Sequence, residues 1–209
     1  MTIVMRALSA LAVLLSLGGC RTLTPVLPTA GRAPHAASVN QSPQDAFWQR
    51  LQALCGRAYR GRLTEGDASD STFRRAELVM HVRQCSPSEV RVPFHADTNR
   101  SRTWVITRTS EGLRLKHDHR HADGSEDRVT QYGGDTRDAG SSGRQDFFAD
   151  AHTASLIPAA RANVWTMEIT PGTRFAYALR REGTARRFRV EFDLATPVAA
   201  PPPPWGAAP

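Results

Sequence analysis

The sequence predicts an all-β fold: an antiparallel barrel of eight to ten strands, with a β-sandwich as the alternative, and one N-terminal amphipathic helix. Short segments rich in β-branched and aromatic residues recur along the chain, separated by Gly, Pro, Asp, Asn or Ser. Several alternate apolar and polar residues, as Phe188, Val190 and Phe192 do with the charged Arg189 and Glu191. That alternation is typical of antiparallel strands with one face in water. A single helical pattern precedes them.

Residues 1–19 have the pattern of an export signal, with one charge at Arg6 and an apolar run that ends in "LGG" before Cys20. The ending "LGGC" resembles the lipobox of bacterial lipoproteins. The resemblance implies cleavage before Cys20 and attachment of lipid to that cysteine; an ordinary cleaved signal is the alternative. Since residue 21 is Arg rather than Asp, it also implies an outer-membrane anchor facing the periplasm.

Composition divides the remaining chain into three parts. Residues 20–43 are rich in Pro, Ala, Thr and Ser without apolar periodicity, which predicts a flexible tether. Residues 44–196 form the predicted barrel domain, and one domain suits that length. Residues 197–209 are proline-rich, and we expect a disordered tail that cannot join a sheet. We expect the protein to be a monomer.

The predicted helix has consistent start and stop signals. Ser42 can cap it, Pro43 suits its first turn, Asp45 follows three residues after the cap, and Gly56 suits its exit. Its apolar face consists of Phe47, Trp48, Leu51, Leu54 and Cys55. This face must pack against the strands.

The predicted strands follow in order: "AYRGRLTEG", "ELVMHVRQC", "SEVRVPFHA", "RTWVITRT", "GLRLKHDHRH", "DRVTQYGG", "ANVWTMEIT", "RFAYALRRE" and "RRFRVEFDL". A short helix, then "FWQRLQALCGRAYRGRL", then a meander of strands resembles the calycin architecture of lipocalins over about 150 residues. The Gly-x-Trp signature of lipocalins is absent, and "GRAYRG" offers Tyr59 in its place. Four segments, "LVMHVR", "SRTWV", "LRLKHDHRHADGSED" and "NVWTMEI", are also similar to a group of uncharacterised bacterial secreted proteins.

Two cysteines, Cys55 and Cys85, remain once Cys20 is set aside. An even pair in an oxidising compartment predicts one disulfide. A metal-binding or reactive pair is the alternative, but the C-x-x-C spacing is lacking.

The segment "LRLKHDHRHADGSED" carries three histidines at alternate positions. On a strand, His117, His119 and His121 share a face with Leu113 and Leu115. If the leucines face the core, the imidazoles point inward as well, near a barrel end. The charged residues between them would then point outward.

Three interpretations of these histidines stay open. They are structural groups that bond to carboxylates and waters, ligands of a zinc or copper ion together with Asp127, or donors to an organic ligand. Residues of one strand face repeat every 6.5–7 Å or so, and a metal site would therefore need ligands from another strand. Trp104 and Arg102 complete the candidate ligand-binding set, with core packing and a solvated loop as their respective alternatives.

Charge and motifs narrow the range of functions that the sequence allows. The formal net charge is +7, and Lys116 is the single lysine among 27 basic residues. In the envelope, lipid head groups or other anionic polymers are nearer partners than nucleic acid, and scattered arginines favour a solvated surface. The sequence has no G-x-S-x-G elbow, H-E-x-x-H helix or Gly-rich phosphate loop.

The sequence therefore favours a lipid-anchored envelope protein whose barrel binds a small molecule or a metal. A structural or assembly lipoprotein acting through its basic surface is the first alternative. A metal-dependent hydrolase is the second.

Overall fold

The strands follow one another around a single antiparallel sheet that closes on itself. The computed structural model describes residues 41–207, so the predicted signal peptide, Cys20 and nearly all of the predicted tether lie outside the described residues. The eleven strands are β1 (Ala58–Glu65), β2 (Leu78–His81), β3 (Gln84–Cys85), β4 (Glu89–Ala96), β5 (Asn99–Thr109), β6 (Gly112–His119), β7 (Tyr132–Asp135), β8 (Arg144–Ala149), β9 (Asn163–Thr170), β10 (Arg174–Arg181) and β11 (Arg187–Val198). The helices are α1 (Pro43–Gln52), α2 (Ser71–Arg75) and α3 (Ala151–Leu156), with short 3-10 turns at Ala68–Asp70 and Pro158–Ala160.

The ring has the order β2-β1-β11-β10-β9-β8-β7-β6-β5-β4 and is closed by pairing of β2 with β4. Strand β3 pairs with β4 outside the ring. The predicted all-β barrel is therefore confirmed, with ten strands in the ring. Strand β8 has no counterpart among the predicted strands.

Helix α1 crosses one end of the barrel, which we call the closed end. Ser42 caps it, since its Oγ accepts a hydrogen bond from the Asp45 amide at 3.0 Å. Gln44 Nε2 donates to Thr136 Oγ1 beyond β7, and Gln52 Nε2 donates to the Ser86 carbonyl beyond β3. The helix thus bridges two sides of the ring. Its buried face consists of Phe47, Trp48 and Leu51.

The opposite end, the open end, is bordered by the longer connections. The segment between β1 and β2 carries α2, and the segment between β8 and β9 carries α3. The loop 120–131 joins β6 to β7 there. This end therefore has the room for a cavity.

The predicted disulfide is present. Cys55, just after α1, is bonded to Cys85 in β3, with the two Cα atoms 6.3 Å apart. The bond closes a loop with a sequence separation of 30 residues. On the chain-entropy model such a loop contributes about 3 to 4 kcal/mol to stability.

The end of the chain differs from the expected free tail. Strand β11 continues to Val198, and Pro197 lies opposite Tyr59. A register shift separates this pair from the Gly61–Phe192 pair. Irregular pairing of this kind tolerates a proline, which has no amide hydrogen to donate.

Residues 199–207, the C-terminal strap, lie against the outer surface of the barrel. The Trp205 amide donates to the Arg100 carbonyl at 3.1 Å, and Arg100 Nη1 donates to the Pro203 carbonyl at 2.9 Å. Gly206 packs against Gly124 in the loop between β6 and β7. An extended proline run leaves its carbonyls free to accept such bonds. Within residues 41–207, no helix has the length and apolarity that crossing a membrane would require.

Candidate functional site

The register of β5, β6 and β7 brings four of the predicted residues together at the open end. Trp104 pairs with His117, and Arg102 pairs with His119. His117 also pairs with Tyr132 on β7. Paired residues on antiparallel strands project to the same side, so these side chains form two adjacent inward rows.

The opposite wall is built in the same way from β9 and β10. Leu179 pairs with Trp165, and Arg181 pairs with Asn163. Tyr177 lies two residues before Leu179 on the same inward face. Arginine therefore occupies the last inward position on both walls, Arg102 on one and Arg181 on the other.

Two aromatic rings form the floor between this end and the core. Trp104 on β5 stacks on Tyr177 on β10, with ring centroids 4.3 Å apart and planes within 18°. The two strands lie on opposite sides of the ring, so the stack spans the barrel. Phe94 stacks on the same indole at 4.9 Å.

A cavity of about 260 Å³ lies on this floor. Its aromatic lining consists of Phe73, Phe94, Trp104, Tyr132, Trp165, Tyr177 and Phe188. Its polar lining consists of Asp70, Arg102, His117, His119, Asn163, Arg181 and Arg186. Pockets for drug-sized ligands run from about 300 to 1,000 Å³, so this cavity suits a smaller molecule.

His117 is held as a neutral imidazole. Nδ1 lies 3.0 Å from the Tyr132 carbonyl, which can only accept, so Nδ1 carries the proton. Nε2 then accepts from the Tyr177 hydroxyl at 2.7 Å. Burial lowers the pKa of His117 to about 3.

His119 and Tyr132 form a second neutral pair nearer the rim. Tyr132 Oη lies 3.2 Å from His119 Nε2. Burial lowers the pKa of His119 to about 4 and raises the pKa of Tyr132 to about 12. At neutral pH neither group carries charge, so the charge of the lining comes from its arginines and its one aspartate.

That charge is positive. Arg186 is bonded to both oxygens of Asp70, at 2.5 and 2.8 Å, and this pair is neutral overall. Among the residues that the structure describes, neither Arg102 nor Arg181 forms an ion pair. Three arginines and one aspartate therefore leave the lining with a net charge of +2.

Both unpaired arginines are held by neutral contacts. The Arg102 guanidinium lies over the Phe73 ring, 5.1 Å from its centroid, and its Nη1 donates to Ser101 Oγ. Arg181 Nε donates to Asn163 Oδ1 at 2.9 Å. These contacts orient the side chains without neutralising them.

The other two predicted ligands lie outside the cavity. Strand β6 ends at His119, and exposed His121 sits in the following turn, where its amide donates to the Ser125 carbonyl. The Asp127 carboxylate accepts from the Val129 amide and shapes the same loop. Within residues 41–207, no three His, Cys, Asp or Glu side chains are grouped to hold a metal ion.

The predicted facing of β6 is observed for its first three inward residues: Leu113, Leu115 and His117 are buried. His119 is partly exposed at the rim, while Arg114 is exposed on the outer face. The predicted inward orientation is wrong for His121, because strand β6 ends at His119.

Several residues of the site were not predicted from the sequence, among them Tyr132, Tyr177, Asn163 and Arg181. Arg181 could have been found from the sequence. It continues the alternate, inward-facing positions of β10 that begin at Phe175, and a charged residue at the end of such an apolar series indicates a functional position. Tyr132 offered no such signal, because it follows an irregular loop and opens a strand of four residues.

Comparison of the chain with protein-family models, curated proteins and solved structures gives no match. The barrel is therefore defined by its own strand pairing. The candidate site is defined by the contacts of its own side chains.

Proposed function

We propose that this protein is a small-molecule-binding barrel of the bacterial cell envelope, with its ligand site in the open-end cavity. The supporting observation is the cavity of about 260 Å³, which combines a stacked aromatic floor with oriented polar groups. An apolar pocket with a few placed polar groups is the usual form of a small-molecule site.

The hydrogen bonding of the cavity favours an organic ligand over a metal ion. Both ring nitrogens of His117 are already engaged, one by the Tyr132 carbonyl and one by Tyr177. A metal ion would have to displace one of these bonds. An organic ligand can instead stack on the rings and use His119, whose Nε2 faces the Tyr132 hydroxyl.

Tryptophan fluorescence tests the binding site. Trp104 and Trp165 line the cavity, so naphthalene-based probes that enter it should quench their emission and raise the melting temperature. Leu179→Trp would fill the cavity and should abolish both effects. Ala178→Trp places the same ring on the outer face of β10 and is the matched control. Equal quenching of the two variants would rule out the cavity as the site.

The envelope location is supported by two features of the chain. The "LGGC" ending at Cys20 resembles a lipobox, and the Cys55–Cys85 disulfide suits an oxidising compartment. In this proposal, a lipid on Cys20 holds the barrel at the outer membrane, facing the periplasm.

Metabolic labelling tests the anchor. A Gram-negative host expressing the full chain with a clickable fatty acid should yield a labelled protein, and Cys20→Ser should abolish the label. Cys85→Ser is the control for loss of a cysteine elsewhere. Label that persists in Cys20→Ser would contradict the proposed anchor, and it would leave the proposed ligand site untouched.

A further inference from the structure

The cavity carries uncompensated positive charge near its mouth and an aromatic surface at its floor. Arg102 and Arg181 are the outermost inward residues of their strands, and Trp104 and Leu179 are the next inward residues on the same strands. Alternate residues of a strand are about 6.5 to 7 Å apart. Arg102 therefore lies one inward row above Trp104, and Arg181 lies two inward rows above Tyr177, both toward solvent.

We propose that the ligand is a small aromatic carboxylate whose ring lies on the Trp104–Tyr177 floor and whose carboxylate is held by Arg102 and Arg181. The inference rests on the proposed function, because it names the chemistry of the same site. A guanidinium presents several N–H donors in a plane that matches a carboxylate.

The arginines have donors left for such a group. In the described part of the chain, the bonds of Arg102 use its Nη1, and those of Arg181 use its Nε. The remaining N–H groups of both guanidinium groups have no acceptor within residues 41–207. A carboxylate at the rim would supply acceptors and offset the net charge of +2.

The aromatic lining argues for a flat body rather than a flexible chain. The Tyr132 and Trp165 rings, from β7 and β9, have centroids 5.9 Å apart, and the Phe73 and Phe94 rings, from α2 and β4, are stacked with centroids 5.8 Å apart. Offset and edge-on ring contacts between such walls add to simple burial of area. A fused aromatic ring therefore fits the aromatic lining of the cavity better than an alkyl chain does.

A cationic ligand is disfavoured by the same groups. The single carboxylate of the lining, Asp70, is bonded to Arg186 through both oxygens. The imidazoles of His117 and His119 are neutral and hydrogen-bonded. Among the described lining residues, no carboxylate is left unpaired to balance an added positive charge, and the unpaired guanidinium groups of Arg102 and Arg181 repel it.

The test compares three naphthalene probes on the exported chain with Cys20→Ser, so that no attached lipid competes. Calorimetry should show naphthalene carboxylate binding about 10- to 100-fold more tightly than naphthalene carboxamide, since charged hydrogen bonds distinguish them. Naphthylmethylammonium should bind more weakly than either. Decanoate, an equally charged flexible acid, should bind more weakly than the aromatic acid.

Arg102→Gln and Arg181→Gln should each weaken binding of the carboxylate about tenfold or more and leave the carboxamide unchanged. Arg57→Gln, an exposed arginine beyond α1, is the matched control and should change neither. Equal affinities for acid and amide, or no effect of either arginine variant, would overturn the assignment of the carboxylate. Tighter binding of decanoate would overturn the aromatic part.

These failures are distinct from failure of the proposed function. If acid and amide bind equally and Leu179→Trp still blocks both, the cavity stands as the site and the carboxylate assignment falls. If no probe binds, or Leu179→Trp blocks none, both proposals fall together.

Discussion

The two ends of the barrel are built from the same strands but are filled differently. On β6, Leu113 and Leu115 lie toward the closed end, whereas His117 and His119 lie toward the open end. The closed end buries apolar side chains under α1, and each square ångström of apolar area removed from water contributes about 25 cal/mol. The open end buries polar groups, which must be paired to be tolerated there.

The difference separates stability from recognition along the barrel axis. At the closed end, side chains such as Phe47 and Leu51 are fully buried. At the open end, His117 is buried only because Tyr132 and Tyr177 satisfy both its nitrogens. At neutral pH we therefore expect closed-end substitutions to change mainly stability and open-end substitutions to change mainly binding.

The largest effect should come from the closed end. Phe47→Ala removes a fully buried ring from α1 and should lower the free energy of unfolding by about 3 to 5 kcal/mol. Urea denaturation measures this. Probe affinity of the fraction that stays folded should be unchanged; a loss of affinity equal to that of the arginine variants would break the separation of the two ends.

The disulfide should act on the same end with a slightly smaller effect. Paired replacement of Cys55 and Cys85 by serine should lower the free energy of unfolding by about 3 to 4 kcal/mol, because the open chain gains entropy when unfolded. Denaturation with and without a reductant checks it. If the denaturation midpoint of the wild type stayed the same in reductant, although both thiols were shown to be free, this estimate would be contradicted.

The open end should make the fold sensitive to mild acid. The pKa of His117 is lowered to about 3 by burial, so the unfolded chain, with a pKa near 6.5, binds more protons between these values. Stability is therefore complete above about pH 7 and falls as the pH decreases, by about 2 kcal/mol at about pH 5 from this group. His95 and His119, with pKa values lowered to about 4, act in the same direction.

His117→Gln isolates that contribution. Glutamine can donate to the Tyr132 carbonyl and accept from Tyr177, but it does not titrate. The variant should lose less stability than the wild type between about pH 7.5 and about pH 5, by about 2 kcal/mol. His152→Gln, at an exposed position on α3, is the control and should match the wild type. Parallel pH profiles for all three would place the acid sensitivity elsewhere.

The smallest effect should come from the C-terminal strap, which covers the outer face. Deleting residues 199–209 removes the bonds of Trp205 and Pro203 to Arg100, and it should lower the free energy of unfolding by about 1 kcal/mol. The strap also contacts Gly124 in the loop that joins His119 to Tyr132. Thermal denaturation measures the loss of stability. A loss larger than that caused by Phe47→Ala would show that the strap contributes more to stability than the closed end does.

Alternation of apolar and polar residues was enough to predict the barrel, because most strands have one wet face. It missed β8, where the polar Gln145 is buried beside Phe147 on the inner face and Asp146 lies on the outer face. Gln145 Nε2 donates to the Ala139 and Ser141 carbonyls, while its buried Oε1 has no hydrogen-bond partner within residues 41–207. Such a position is fixed by tertiary contacts that a local pattern does not contain.

The site was predictable on the strand that the histidines occupy and unpredictable across the barrel. Period-two spacing places His117 and His119 inward, and Arg102 and Trp104 follow from pairing of neighbouring strands. The stack of Trp104 on Tyr177 joins strands far apart in sequence. Only closure of the ring brings them together, so the floor of the cavity could not be foreseen.

The most direct test is chemical-shift mapping of the exported chain, with Cys20→Ser, during titration with naphthalene carboxylate. We expect the perturbed signals to cluster at the open end, with those of the Trp104 indole and the Arg102 and Arg181 side chains among the most strongly shifted. The chemical shifts of the α1 backbone amides should stay unchanged. Perturbations centred on α1, or spread evenly over the outer surface, would contradict the assignment of binding to the open end.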